Sequence, residues 1–319
     1  MFTLVQKRRY FFAISGVVIV IGLILMAYSI LTTGSPFDLS NDFVGGSIYE
    51  LDFAGPGADE ANIRQVFESF GNADIVIQSV GDPAEERWSI RADFQDFEIQ
   101  SQIQAALAAL APLDQERTRI EQVSPAVGAE VGRAAVGAVA VSAIVVTGFM
   151  VLAFRHVPHA TRYGVSAIVA MLHDVLVLCA VMALASLLLG WQADTLFLTA
   201  LLTVVGFSVQ DTIVVFDRIR ENIIRYLGEP YEAIVNRSLI ETLHRSLATQ
   251  LNAFFIMAAI LLFGGPSVRQ FIAILFIGML TGTYSSIFIA SPVLVAWEKG
   301  EIPFVNRKKR KAAAQAEAA

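Results

Sequence analysis

Three consecutive polar residues, Gln210, Asp211 and Thr212, interrupt a run from Val204 to Phe216 that is otherwise apolar enough to cross a bilayer. The charged group Asp217, Arg218, Arg220 and Glu221 follows directly. A carboxylate at the centre of a membrane helix costs roughly 2.5–3.5 kcal/mol on insertion scales, so it faces a protein interior or a watery cavity and has a partner there. Asp211 is therefore read as a functional residue rather than a packing one. A structural ion pair is the other reading, because a buried pair also persists once its partner is in place. His173 and Asp174 form a second polar insertion, near the middle of another apolar run. They are read as a relay or as a hydrogen-bonded pair facing a partner helix. Too few histidines occur, with no ligand spacing, for a metal site.

The rest of the chain must hold these groups at depth. Of 319 residues, 55% are hydrophobic and 16% charged, and mean hydropathy is +0.60. Soluble domains average about 45–50% apolar and about 25% charged residues, so the composition points to an integral membrane protein. Between Thr32 and Glu130 there are 18 acidic and 5 basic residues, so the net charge of -6 hides an acidic polar segment among basic-margined apolar ones. The lone cysteine, Cys179, allows no disulfide within the chain and reads as a small buried hydrophobe.

Lys7, Arg8 and Arg9 precede an apolar run from Tyr10 to Leu31, longer than a signal core and without a cleavage pattern. Residues 1–31 are thus expected to be a cytoplasmic start and an uncleaved first span. Residues 32–130 are expected to form an extracytoplasmic domain. Strand alternation at Gly46–Phe53, at 74–80, at Trp88–Phe94 and at Arg117–Val123 brackets two helical patterns, Ile63/Val66/Phe67/Phe70 and Ile103/Ala106/Leu107/Leu110, with a turn at Gly81-Asp82-Pro83. The order βαββαβ predicts a ferredoxin-like α+β sandwich. No nucleophile, base and orienting group converge in it, so an enzyme is not expected.

Residues 131–297 supply five more apolar stretches, at Val131–Phe154, Tyr163–Leu189, Thr195–Asp217, Leu243–Phe263 and Phe271–Trp297, with basic loops on one side. Arg218–Glu241 reads as an amphipathic cytoplasmic extension with a turn at Gly228-Glu229-Pro230, and 298–319 as a basic cytoplasmic tail. The fold class is thus an α-helical membrane protein, six transmembrane helices with one extracytoplasmic domain between helices 1 and 2, both termini cytoplasmic. Gly278 and Gly282 have the GxxxG spacing that lets helices approach closely, followed by hydroxyls at Thr283 to Ser286 that can bond across helices. Asp211 lies about six residues, or roughly 9 Å, before the inner end of the fourth helix, and Arg245 lies in the first turn of the fifth. The two are at comparable depths and can pair, although Arg245 can instead snorkel to the interface.

Six segments together carry a family resemblance: DFVGGSIYELDF (42–53), LHDV (172–175), VGFSVQDTIVVFDRIREN (205–222), NRSLIETLHRSLAT (236–249), FGG (263–265) and GTYSSIFIASP (282–292). They resemble the SecF family of protein-translocase subunits, relatives of the resistance-nodulation-division transporters. The resemblance implies a bacterial inner-membrane subunit that pairs with SecD, meets the SecYEG translocon with SecA, YajC and YidC as further partners, and acts on unfolded preprotein; no nucleic acid is involved. It implies no bound cofactor, with protons as the coupling ion. It assigns proton relay to Asp211 and Arg245 and places Gly45 and Gly46 where the first helix hands over to the outer domain, a coupling hinge. Gln210, Thr212, His173 and Asp174 accompany the relay or pair helices. Gln210 stands where the family commonly has Asn, and Gln250 and Asn252 where it has Ser and Thr. A stand-alone proton-driven exporter of the related transporter class is the alternative, and a passive scaffold a further one.

Overall fold

The computed structural model describes residues 3–55, 58–73, 75–80, 86–155 and 159–301; the expected turn at 81–83 and the basic tail from 306 lie outside them. Six helices are long and apolar enough to cross a membrane. They comprise α1 (Arg8–Thr33, preceded by a single 3-10 turn), α5 (Pro125–Ala153), α6 (Ala160–Leu189), α7 (Thr195–Arg225), α8 (Tyr231–Phe263) and a composite sixth span. That last span runs through α9 (Pro266–Ser285), a π turn at Ser286–Ala290 and α10 (Ser291–Glu298). Between α1 and α5 in sequence come α2 (Asn41–Val44), β1 (Gly46–Asp52), α3 (Glu60–Ser69), β2 (Val76–Ser79), β3 (Arg87–Ala92), α4 (Phe97–Leu110) and β4 (Arg119–Val123).

Residues Leu39–Gly137 form one compact unit. Its sheet has the order β2-β3-β1-β4, antiparallel throughout. The register sets Ile77, Ile90, Tyr49 and Ile120 in one row across all four strands. Tyr49, Ile63, Phe67, Ile90, Ile103 and Leu107 are fully buried in one core, so the alternation and the helical stripes seen in the sequence face each other. Asp59 starts α3 by accepting the Asn62 amide at 2.7 Å, a standard N-cap. Gly45 and Gly46 lie inside this unit, with φ of 81° and 127°. A Cβ on Gly45 would meet Pro125 Cα at 2.6 Å, so the glycine permits the start of β1 to lie against the start of α5.

The helical unit is layered by burial. The most apolar windows of α6, α7 and the sixth span are 56%, 50% and 50% buried, against 17%, 6% and 17% for the first, second and fifth spans. Polar side chains can therefore persist on α6, α7 and the sixth span, where protein replaces lipid. Asp194 caps α7 through the Phe197 amide at 2.7 Å, and Gly190 ends α6 with φ 66°. Phe154, Tyr163 and Phe216 form a ring cluster with centroids 5.3–6.1 Å apart. At the other end of α1, Arg8 bonds Glu301 and, at 3.0 Å, Glu232, which also takes Lys299 at 2.6 Å. The Arg8 guanidinium holds the Glu301 carboxyl below the usual carboxylate range.

Helix boundaries differ from those expected. α7 runs on to Arg225 and α8 begins at Tyr231, so the cytoplasmic extension expected over Arg218–Glu241 is helical with its turn around Gly228-Glu229-Pro230, and its two halves continue the fourth and fifth spans. Its charges pair along and between those helices, Arg218 with Glu221 at 2.7 Å and with Glu241 at 2.6 Å. That pairing satisfies helical turns that extend beyond the apolar run. The second span starts at Pro125 rather than near Val131, because Pro is well suited to a first helical turn.

Gly278 packs against Val204, and a Cβ on Gly282 would lie 3.2 Å from Ser208 Cβ, so both glycines bring α9 onto α7. Gly278→Leu is expected to separate these helices and lower the thermal unfolding midpoint of detergent-purified protein. Gly16→Leu, with nothing within 4 Å of its Cβ, is the control that should leave the midpoint unchanged.

Candidate functional site

Helical spacing gathers the polar groups onto facing surfaces. Ser208, Asp211 and Thr212 fall at i, i+3 and i+4 on α7, and Ser246 and Gln250 at i and i+4 on α8. Asp211 is 8% exposed and has two close partners, both hydroxyls: Ser246 Oγ donates to Oδ1 at 2.5 Å, and Ser286 Oγ to Oδ2 at 2.5 Å. Short O–H···O⁻ bonds of this kind are the strong, charge-assisted class.

The sequence brought Arg245 to the depth of Asp211, to pair with it or to snorkel to the interface. Among the described residues no ion pair joins them; the neighbour one position on, Ser246, makes the contact. One residue is about 100° of helical rotation, so when Ser246 faces α7, Arg245 turns outward and is exposed. The two nonetheless line one cavity of about 350 Å³, with Gln210, Thr249, Gln250 and Asn252 on its wall. Arg245 also lines a neighbouring hollow of about 450 Å³ ringed by Asp217, Arg218, Glu221 and Glu241. Gln250 is buried and its Oε1 has no hydrogen-bond partner among the described residues. Buried amide oxygens rarely stay unpaired, so this wall of the cavity suits a water donor. Thr212 turns its hydroxyl back to Ser208 O at 3.0 Å and does not touch the carboxylate.

Asp174 is fully buried. Its Oδ2 accepts from Ser208 Oγ at 2.5 Å and from Ser285 Oγ at 2.7 Å, while Oδ1 lies 3.0 Å from His173 Nδ1. His173 Nε2 is 3.1 Å from Ser15 Oγ of α1, which donates to Tyr284 OH at 3.2 Å; that hydroxyl donates to Phe11 O at 3.4 Å. With donors in that direction His173 Nε2 is the donor to Ser15. The bond between Nδ1 and Oδ1 then holds one proton, on the imidazole or on the carboxyl. The adjacent pair expected from sequence is thus present, embedded in a chain of hydroxyls that joins α1, α6, α7 and the sixth span.

Ser15, Ser208, Ser246, Ser285 and Ser286 bond the buried imidazole and carboxylates, and sequence reasoning assigned none of them to those groups. Their only advance signal was small polar residues on apolar spans, which also serves helix packing. Gly278 and Gly282 set the distance that lets Ser208 of α7 reach Asp174 beside Ser285.

Residues 102–300 match the family described as protein export membrane protein SecD/SecF, C-terminal. Protein translocase subunit SecF of Anaerolinea thermophila is 42% identical over 303 residues, 94% of this chain and 96% of that protein. Its counterpart in Thermobaculum terrenum is 36% identical over 324 residues, 97% and 98% of the two chains. The crystal structure of SecDF, a translocon-associated membrane protein, from Thermus is similar with a TM-score of 0.74 and 31% identity. That likeness covers 93% of this chain and 39% of the SecDF chain, so the present chain spans well under half of SecDF.

The hydroxyls differ in what they hold, and stability reads the difference. Ser208→Ala takes one donor from a buried carboxylate and is expected to cost about 1–3 kcal/mol. Thr212→Val removes only a back-bond to the helix's own carbonyl and should cost about 0.5 kcal/mol or less. Thermal unfolding of the two variants in one detergent checks the order, and equal losses would contradict the assignment.

Proposed function

The chain belongs to the SecF family of protein translocase subunits, and we propose that its Asp211 centre takes up and releases protons to drive the export of unfolded preprotein. It is a multi-pass membrane protein of the Sec pathway, and membership of this family sets aside a stand-alone exporter. The observation that carries the proton reading is the environment of Asp211: a carboxylate buried in a span, bonded by hydroxyls and by no cation among the described residues, on the wall of a polar cavity. Hydroxyls can donate to a charged carboxylate and accept from a neutral one, so either protonation state of Asp211 keeps its partners. A cation locked onto it would favour the charged state alone.

Arg245 acts in this reading as a charge shared between the two hollows, repelling cations from the Asp211 cavity and receiving the carboxylate if the helices repack. Gln210, Gln250 and Asn252 supply amide groups that hold water along the same wall. His173 and Asp174 form a second place for a proton in the same helical core.

SecD is the partner. The Thermus SecDF chain is much longer than this one, which supports a second half supplied by a separate subunit. SecYEG, with SecA, YajC and YidC, completes the expected assembly in the bacterial inner membrane. The β2-β3-β1-β4 order supports a ferredoxin-like reading of the sheet unit. The basic residues of 155–162 and those where α7 ends and α8 begins, Arg218, Arg220, Arg225 and Arg237, support cytoplasmic termini and an extracytoplasmic sheet between the first two spans. Gly45 and Gly46, expected as a coupling hinge, lie inside that unit at the start of β1, with the handover from α1 before Leu39.

Moving one charge through about 100 mV is worth roughly 2.3 kcal/mol, enough to bias a two-state element. Inverted membrane vesicles carrying this chain with SecD measure the effect. Asp211→Asn is expected to abolish the part of preprotein export that depends on the proton gradient and to leave the gradient-independent part. Gradient stimulation of the same size in the variant would refute the proposal.

A further inference from the structure

Ser285 and Ser286 each have one hydroxyl proton and both a carboxylate and a backbone carbonyl within reach, and Ser285 also lies 3.5 Å from Ser208 Oγ. Ser285 Oγ lies 2.7 Å from Asp174 Oδ2 and 3.1 Å from the carbonyl oxygen of Gly282. Ser286 Oγ lies 2.5 Å from Asp211 Oδ2 and 3.1 Å from the carbonyl oxygen of Thr283. The geometry is the same at both positions: a carboxylate on a neighbouring helix competes with the serine's own i−3 carbonyl. A hydroxyl proton cannot serve both acceptors fully, and a charged carboxylate outcompetes a carbonyl. When the proton sits on the carboxyl oxygen that faces the serine, Oδ2 in both cases, that oxygen becomes the donor. The serine oxygen then accepts, and the hydroxyl proton turns to the backbone carbonyl.

The backbone that receives this change is irregular at this very place. The α-helical pattern of α9 stops at Ser285, the π turn occupies Ser286–Ala290, and Ser291 Oγ closes onto Ser286 O at 3.1 Å. π turns inside helices are uncommon and concentrate at functional sites. Serine bonds to the preceding turn bend helices by drawing on carbonyls that the ladder also uses. Two adjacent serines therefore connect two carboxylates, on two different helices, to the same weak turn.

We infer that Ser285 and Ser286 are positioning residues that convert protonation of Asp174 and of Asp211 into a change of helical register over residues 282–291 of the sixth span. The inference rests on the reading of Asp211 as a proton-binding group. The ionisable side chains around this turn are His173 and Asp174 of α6, Asp211 of α7 and Tyr284 of α9; α1 presents Ser15, and Arg245 of α8 lines the cavity beside Asp211. Because the serines are consecutive, a change at one alters the turn on which the other is mounted. The two carboxylates are thereby coupled although no hydrogen bond links them directly among the described residues.

Hydrogen–deuterium exchange of the full chain, purified with SecD in lipid nanodiscs, tests this. Asp211→Asn, whose amide mimics a neutral carboxyl in carrying a donor, is expected to change amide exchange over 282–291 by about tenfold, the equivalent of one hydrogen bond. Ser286→Ala should remove that response, so that the double variant exchanges like Ser286→Ala alone. Ser286→Thr, which keeps the hydroxyl, should restore it. Ser286→Cys keeps the volume with a weaker donor and gives the same comparison if the alanine variant does not fold. Asp174→Asn with Ser285→Ala should behave as a second matched pair, whereas Asp211→Asn should still act through Ser285→Ala. A response of equal size with and without the Ser286 hydroxyl, or none in Asp211→Asn, overturns the serine coupling. Vesicle export separates the two claims. Lost gradient-driven export with unchanged exchange sinks the coupling alone, and retained export sinks the proton reading itself.

Discussion

Everything in the helical unit follows from keeping two carboxylates inside a membrane with hydroxyls as their principal partners. Asp174 and Asp211 are both buried, and between them they take four serine hydroxyls and one imidazole. A carboxylate without donors at this depth would carry the full desolvation cost, and one held by a buried cation would be fixed in a single charge state. Hydroxyls satisfy the group in either state. In the proposed function, that choice of partner is what lets the centre take up and release a proton.

The packing serves the same end. Serine side chains are short, so the donors reach the carboxylates only if their helices approach closely. Gly278 and Gly282 bring the sixth span against α7 and place Ser285 beside Ser208. The three central spans are half-buried for this reason, and the first, second and fifth present large apolar side chains such as Ile24, Ile144 and Phe255 outward. The sixth span carries donors for both carboxylates on consecutive residues, which a regular helix would turn about 100° apart. α6 and α7 lie on the two sides that this angle defines. The π turn begins at the second of these residues, Ser286.

Much of this was legible in residue order, because the relevant signals are local. Apolar length revealed the spans, and alternation at Tyr49, Leu51 and Phe53 revealed a strand whose side chains are indeed buried. Asp211 stood out because charge is expensive where it lies. What failed was rotational detail. Depth along two helices brought Arg245 level with Asp211, yet a single residue step gave the contact to Ser246, and depth says nothing about which way a side chain points. The fourth helix was expected to end at Asp217 and the fifth to start near Leu243 because charged residues end the apolar runs there, while their pairing across α7 and α8 is visible only in three dimensions. Ser15 and Ser208 carried no signal of their own, since a serine on an apolar span is usually a packing residue. The π turn has no sequence signature in this stretch.

The central claim is that Asp211 changes protonation while staying inside this core. Infrared difference spectroscopy on the chain reconstituted with SecD, comparing acid and neutral conditions, reads it directly. The account predicts a carboxylic-acid carbonyl band that appears on acidification and is missing in Asp211→Asn. A spectrum with no carboxyl band that depends on Asp211 would mean the residue keeps one charge state throughout, and would contradict the account.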